Sequence, residues 1–246
     1  MAERSGEPAP PPDLVFDLEE AIASGLVAIG GDLSEENLLA AYRAGMYPCF
    51  HPDEPILWWS PDPRFILPLD RFRVPRSLSR TLDRGTFEVR CDTAFSEVIR
   101  GCAAAPRGPD NGVWIGEGMI AAYEQLARSG YAHSFEVFRN GHLVGGLYGV
   151  SLGSAFFGES MFSRERDASK VALAGLVATL RSLDFDLLDC QVTTGHLARF
   201  GAVEVPKADF LARLERALSR PTLRGPWSIR GWPRAVRDLP LAVRHP

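Results

Sequence analysis

The stretch SFEVFRNGHLVGGLYGVSLGSAFFGESMFS, residues 134–163, decides how this chain folds. Apolar and polar residues alternate along Ser134–Arg139 and again along His142–Val150, a period of two that predicts strands. Asn140-Gly141 between them is the signature of a two-residue type I′ turn, so the two strands form a hairpin. Ser154–Ser163 is a third strand. Asp167 suits a helix N-cap, and Leu173, Leu176, Val177 and Leu180 make the apolar stripe of a helix from Ala168 to about Leu183. Asp186–Gln191 reads as a short buried strand. Strand, hairpin partner, strand, helix, strand is the order of an α+β mixed sheet.

Outside this block, Thr93–Ala104, Gly118–Ser129 and Lys207–Ser219 carry helical periodicity, and Pro75 suits the first turn of a helix through about Asp83. Residues 14–50 read as short helices and turns. Gly30-Gly31-Asp32 is a turn, and a helix over Glu35–Ala44 puts Leu38, Leu39 and Tyr42 on one face. Residues 46–68 hold Pro48, Pro52, Pro55, Pro61, Pro63 and Pro68, which predicts a rigid irregular segment carrying Trp58 and Trp59. A domain boundary is expected there. It divides a small N-terminal domain (1–64), with a disordered Pro-rich start, from a larger one (65–246).

Composition narrows the class. Of 246 residues, 46% are hydrophobic and 24% charged, the balance of a globular protein rather than a disordered chain. No run of about 18 apolar residues exists, so no spanning helix and no membrane role are expected. The start, MAERSGEPAPPPD, lacks the apolar core of a signal peptide. Cys49, Cys91, Cys102 and Cys190 are scattered with no C-x-x-C, which argues against a disulfide framework or a zinc site and for reduced thiols in a cytoplasm. Net charge is −4, yet arginines 64, 71, 73, 76, 80, 84 and 90 give the window Arg64–Arg90 a charge of +4. Arg76, Arg80 and Arg84 fall on one helical stripe. Such a stripe grips phosphates or is a solvated surface.

The strand order is also that of the core of N-acetyltransferase-type (GNAT-type) acyltransferases. In those, a Gly-rich turn at a helix N-terminus cradles the coenzyme A pyrophosphate. Here the corresponding loop has no glycine between Ser163 and Lys170, which disfavours a coenzyme A donor, although a helix N-terminus flanked by Arg164, Arg166 and Lys170 still suits a phosphate.

Longer motifs carry a resemblance. Gly30-Gly31-Asp32-Leu33, Ile56-Leu57-Trp58-Trp59-Ser60-Pro61-Asp62-Pro63-Arg64, Gly145-Gly146-Leu147-Tyr148-Gly149, Gly158-Glu159-Ser160-Met161-Phe162-Ser163, Ala168-Ser169-Lys170 and Asp189-Cys190-Gln191 occur in one order. In them the chain resembles the leucyl/phenylalanyl-tRNA–protein transferases from residue 26 to about 212. Cys49 stands where that family usually has tryptophan, and Asp167 where it has asparagine. The resemblance implies an N-end-rule enzyme with two domains, the second acetyltransferase-like, and with no metal and no coenzyme. It moves Leu or Phe, with Met a further option, from aminoacyl-tRNA to an N-terminal Lys or Arg, marking the acceptor protein for degradation. The partners so implied are the 3′ end and acceptor stem of the tRNA and the acceptor protein. A cytoplasmic monomer is expected.

That chemistry says what the residues must do. An aminoacyl ester is already activated and the attacking group is an amine. The enzyme must bring them together, which supplies up to roughly 7–11 kcal/mol, and help a proton leave nitrogen, worth about 10²–10⁴-fold. Asp189 and Gln191 lie two apart on a strand, so both face one side. On the resemblance, Gln191 accepts from the amine while Asp189 orients and polarises it. The spacing also fits a structural hydrogen-bond pair. Glu159 alternates with Phe157 and Met161, placing a carboxylate on an apolar face for an ammonium or for a salt bridge. Trp58, Trp59 and Trp114 are candidates to stack on the terminal adenine or to serve as core. Leu147, Phe157, Met161 and Leu188 are candidates to line the pocket for Leu or Phe. Arg73, Arg76, Arg80 and Arg84 are candidates for acceptor-stem phosphates. His133 and His196 read as satisfied core histidines. A coenzyme A-dependent acyltransferase, a peptidoglycan-bridge aminoacyl-tRNA-dependent transferase and a noncatalytic RNA-binding protein are the other classes that fit parts of the pattern.

Overall fold

Asn140 and Gly141 both take positive φ, 52° and 79°, as a type I′ turn requires. The computed structural model describes residues 18–106, 115–229 and 239. In chain order these form α1 (Leu18–Ala23), β1 (Leu26–Ile29), α2 (Glu35–Arg43), β2 (Tyr47–Pro48), β3 (Leu57–Trp59), β4 (Arg64–Ile66), α3 (Arg76–Asp83), β5 (Glu88–Cys91) and α4 (Phe95–Ala103). There follow α5 (Glu117–Arg128), β6 (Ala132–Arg139), β7 (His142–Leu152), β8 (Ala155–Ser163), α6 (Ala168–Ser182), β9 (Leu187–Gln191), α7 (Gly195–Ala198), β10 (Val203–Val205) and α8 (Lys207–Leu218). The fold is a mixed α/β one, with an N-terminal region leading into a mixed sheet. The Pro-rich start, Trp114 and Trp232 lie outside the described residues.

Two sheets form. The smaller is antiparallel with order β1-β3-β2, and the larger has seven strands in the order β10-β4-β9-β8-β7-β6-β5. Residues 46–68 are therefore not irregular, as their prolines suggest. They contribute β2, β3 and β4, because short strands absorb proline at their ends and edges. In the large sheet only β8 and β9 pair in parallel, joined through α6. The sheet separates two apolar cores. On one side α6, buried along nearly its whole surface, covers Phe135, Leu147 and Phe156. On the other, α4, α5 and α2 pack Val98, Tyr123, Leu38 and Tyr42 against Tyr148, Val150 and Phe157.

Three local features place the site. First, β8 and β9 pair only at Ala155↔Leu187, Phe156↔Leu188 and Phe157↔Asp189, and beyond Phe157 the two strands diverge. Second, the β7–β8 register jumps between Gly149↔Gly158 and Tyr148↔Ser160, leaving Glu159 as the extra residue of a β-bulge. The bulge overturns the simple alternation: Phe157 packs in the core beside α5, while Met161 packs against the α6 side. Third, glycine permits close approach here. A Cβ on Gly149 would lie 2.2 Å from the carbonyl oxygen of Phe157, and one on Gly145 would lie 2.5 Å from the Ala168 Cβ.

Asp167 does precede α6, but it takes φ +70° and its side chain makes no capping bond. Ser163 Oγ instead accepts from the Ser169 N–H at 3.2 Å, while the Asp167 carboxylate accepts from Lys170 Nζ at 2.6 Å. Among the described residues, no helix is long and apolar enough to cross a membrane.

Candidate active site

The wedge between β8 and β9 opens into a cavity of about 320 Å³. Its walls are apolar: Leu147 from β7, Met161 from β8, Leu173 and Leu176 from α6, Leu188 from β9 and Leu197 from α7. Tyr148, Glu159, Ser160, Gln191, Thr194 and His196 supply its polar groups. The sequence candidates Leu147, Met161, Leu188, Glu159 and Gln191 thus come together here. Phe157 does not, because the bulge turns it away, and its ring sits 5.0 Å from that of Tyr42.

Glu159 is 9% exposed and Gln191 7%. Gln191 Nε2 donates to Glu159 Oε1 at 2.8 Å, and Tyr123 Oη donates to Glu159 Oε2 at 3.1 Å. Tyr42 and Tyr123 share a hydroxyl–hydroxyl hydrogen bond of 2.5 Å. These tyrosines come from α2 and α5, so the network ties the N-terminal region to the sheet. Burial pushes the Glu159 carboxyl up to about 7, against the hydrogen bonds from Tyr42, Tyr123 and Gln191 and aided by the nearby charge of Asp189. With its amide nitrogen committed to Glu159, Gln191 keeps its amide oxygen to accept a proton donor in the cavity.

Asp189 lies behind this surface at 0% exposure. It accepts Arg64 Nε and Nη2 at 2.9 and 2.6 Å, and its Oδ1 also accepts the Gln191 backbone N–H at 2.9 Å. Gln191 does not continue the strand's alternation, since its φ is +63°. His196 is not a satisfied core histidine: it lines the cavity, and its buried Nε2 has no partner among the described residues. Burial, with Lys170 and Arg199 nearby, lowers its pKa.

Trp58 and Trp59 are both held by backbone carbonyls, Trp58 Nε1 donating to Gly30 and Trp59 Nε1 to Cys49 at 2.9 and 2.6 Å. Neither lines the 320 Å³ cavity. His133 Nδ1 pairs with Asp92 at 2.8 Å and its ring stacks on Trp227 at 3.7 Å, which docks the chain after α8 onto β6.

The arginine cluster divides. Arg73 Nη1 is spent on the carbonyls of Asp70 and Phe72, at 2.7 and 3.1 Å. Arg76 is exposed at the start of α3. Arg80 and Arg84 line a hollow of about 380 Å³ whose other walls include Arg139, Arg166 and Asp167. The sequence missed Arg139, which β6 brings in from 55 residues beyond Arg84, and it singled out Arg166 for a phosphate at the start of α6 without joining it to the arginine stripe.

The Gln191–Glu159 pair at an apolar cavity, with no nucleophilic triad beside it among the described residues, suits a transferase that positions its reactants. The family model for the leucyl/phenylalanyl-tRNA protein transferase matches residues 66–215, and that for its N-terminal domain matches 31–62. The chain belongs to the leucyl/phenylalanyl-tRNA–protein transferase family. A relative of that name from Anaeromyxobacter sp. (strain Fw109-5) is 56% identical over 220 residues, covering 89% of this chain and 91% of the relative. One from Thiobacillus denitrificans is 57% identical over 206 residues, covering 84% and 90%. Among solved structures, an aminoglycoside N-acetyltransferase in complex with CoA aligns at 14% identity and TM-score 0.31, over 56% of this chain and 91% of that one. A likeness of that score carries no functional weight.

Proposed function

We propose that the chain is an aminoacyltransferase that moves Leu or Phe from aminoacyl-tRNA to the N-terminus of an acceptor protein beginning with Lys or Arg. The observation that carries the chemistry is the Gln191–Glu159 hydrogen bond at the apolar cavity. The cavity takes the Leu or Phe side chain, and Met161 and the leucines accept both shapes. The acceptor's α-amine attacks the ester carbonyl carbon, a C–N bond forms, and the C–O bond to the terminal ribose breaks. The amine's proton ends on the departing ribose oxygen. Gln191's amide oxygen accepts from the amine and aims its lone pair, while Glu159, poised near neutrality, holds that amide and offers charge to an ammonium. The splayed parallel pair β8–β9 supports the GNAT-type reading of the larger domain, and the break between the two sheets supports a boundary near residue 64.

The hollow of Arg80, Arg84, Arg139 and Arg166 takes acceptor-stem phosphates, a backbone grip that suits an enzyme accepting more than one tRNA. A cytoplasmic monomer using no metal or coenzyme completes the reading. Incubation with tRNA(Leu) charged with labelled Leu, and with peptides beginning Arg, Lys or Ala, tests it. Label is expected on the first two, and equal labelling of all three rejects the acceptor rule.

A further inference from the structure

Arg64, the first residue of β4, has a side chain that is 0% exposed, as does its partner Asp189. The guanidinium meets the carboxylate as a two-pronged fork through Nε and Nη2. The Tyr47 and Phe210 rings lie 4.9 and 4.5 Å from its central carbon, one from β2 and one from α8. Its third nitrogen, Nη1, is buried without a partner among the described residues. A fold that needed only to fill this volume is better served by apolar side chains, because a buried ion pair rarely repays its desolvation. Burial opposes the guanidinium's charge, but Asp189, with smaller help from Tyr47 and Glu159, outweighs it and holds the group above its ordinary range.

The pair has a second connection. Asp189 Oδ1 also accepts the backbone N–H of Gln191, which sits at φ +63°. That region is costly for a residue with a side chain unless neighbours hold it there. Gln191 is therefore clamped twice, by Asp189 at its backbone and by Glu159 at its amide nitrogen.

We propose that Arg64 is a positioning residue for the transfer: it fixes the Asp189 carboxylate, which pins the Gln191 backbone so that the Gln191 amide oxygen stays presented to the cavity. Asp189 then acts through Gln191 and not on the amine itself, since it is 0% exposed and, unlike Glu159, does not line the cavity. The inference rests on the role given to Gln191 above.

Two variants test it. Arg64→Lys keeps the charge and loses the fork. The paired change Arg64→Met with Asp189→Leu removes both charges and is expected to fold, melting somewhat below the unaltered protein because the buried Gln191 N–H loses its acceptor. With charged tRNA(Leu) and an Arg-initiated peptide, Arg64→Lys should lower kcat by about 10–100-fold, the scale of a catalytic group displaced by about an ångström, with the KM for charged tRNA within about threefold. The paired variant should stay at least about tenfold slow although folded, because the Gln191 N–H no longer has its acceptor. Amide hydrogen exchange at Gln191 reads the same clamp with no substrate present and should quicken at least about tenfold in the paired variant. A folded paired variant turning over within about twofold of the unaltered protein makes the ion pair merely structural and overturns the proposal. So does unchanged exchange at Gln191 or, if the paired variant does not fold, full turnover by Arg64→Lys. An unaltered protein that transfers no Leu, with exchange still quickened in the variant, faults the assigned activity and leaves the clamp standing.

Discussion

Arg64 and Arg84 are twenty residues apart in sequence and do opposite work. Arg64 is sealed from solvent with one permanent carboxylate partner. Arg84 caps α3 in the open, beside Arg80, Arg139 and Arg166, around a hollow with a single acidic residue in its wall. A sealed charge can only serve geometry, because nothing diffusing can reach it. An open cluster of like charges has little to offer the folded state and much to offer an anion that arrives from outside. On the roles proposed above, burial, and not residue type, separates the residue that organises the site from the one that recruits a substrate.

The sharpest way to break that comparison is Gln191→Ala, at the point where the sealed side reaches the cavity. Turnover should fall by about 10²–10³-fold, the usual scale for one preorganised contact, with the Kd for charged tRNA nearly unchanged. Single-turnover kinetics beside filter binding check both halves, and equal losses in the two would mean that Gln191 belongs to donor binding.

Next is the pH dependence of Glu159. Its carboxyl titrates near 7 in the folded protein and near 4.5 when unhindered. The folded state therefore binds the proton more tightly, and this group's contribution to stability is fully present below about 4.5 and lost as pH rises through 7. The full swing is about 3 kcal/mol. Glu159→Gln removes the titration, so thermal melts of the variant should gain on those of the unaltered protein between pH 5 and pH 8. Parallel Tm curves would show that Glu159 carries no such burden.

Arg80→Ala with Arg84→Ala and Arg166→Ala should weaken tRNA binding and flatten its dependence on salt, by about one slope unit for each phosphate no longer gripped. Transfer from a minimal aminoacyl-adenosine donor should change by less than about twofold. A minimal donor that suffers as much as full tRNA would make the hollow structural.

The smallest effect is on stability. Arg139 pairs with Glu165 at 2.7 Å across exposed surface. Arg139→Ala should cost under about 1 kcal/mol in chemical unfolding, while its tRNA affinity falls with that of the other hollow arginines. A larger loss of stability would erase the distinction between open and sealed arginines.

What the sequence made legible was local. The Asn140-Gly141 turn, the α6 stripe and the placement of Glu159 and Gln191 in one sheet follow from periods and short motifs, but the hydrogen bond that joins those two side chains does not. What it hid was set by distant partners. Nothing around Arg64 announces that it will be buried, since its carboxylate is 125 residues away and its ring neighbours sit at Tyr47 and Phe210. Prolines disguised β2, β3 and β4, because strands of two or three residues leave no period to read. The bulge at Glu159 inverted the faces of Phe157 and Met161, a one-residue slip that alternation alone cannot register. Arg139, and the meeting of Arg166 with the α3 arginines in one hollow, lay outside any window drawn along the chain.

The separation of Arg64 from Asp189 also bears on when the site comes into being. Closing a loop of 125 residues costs roughly 4 kcal/mol in chain entropy, so the hairpin and α6 can organise well before the two side chains meet. On a ribosome, a chain halted after α6 already holds β6 to β8 but lacks β9 and hence both Asp189 and Gln191. Catalytic competence thus arrives late in synthesis, with the strand that brings the two ends of the fold into register.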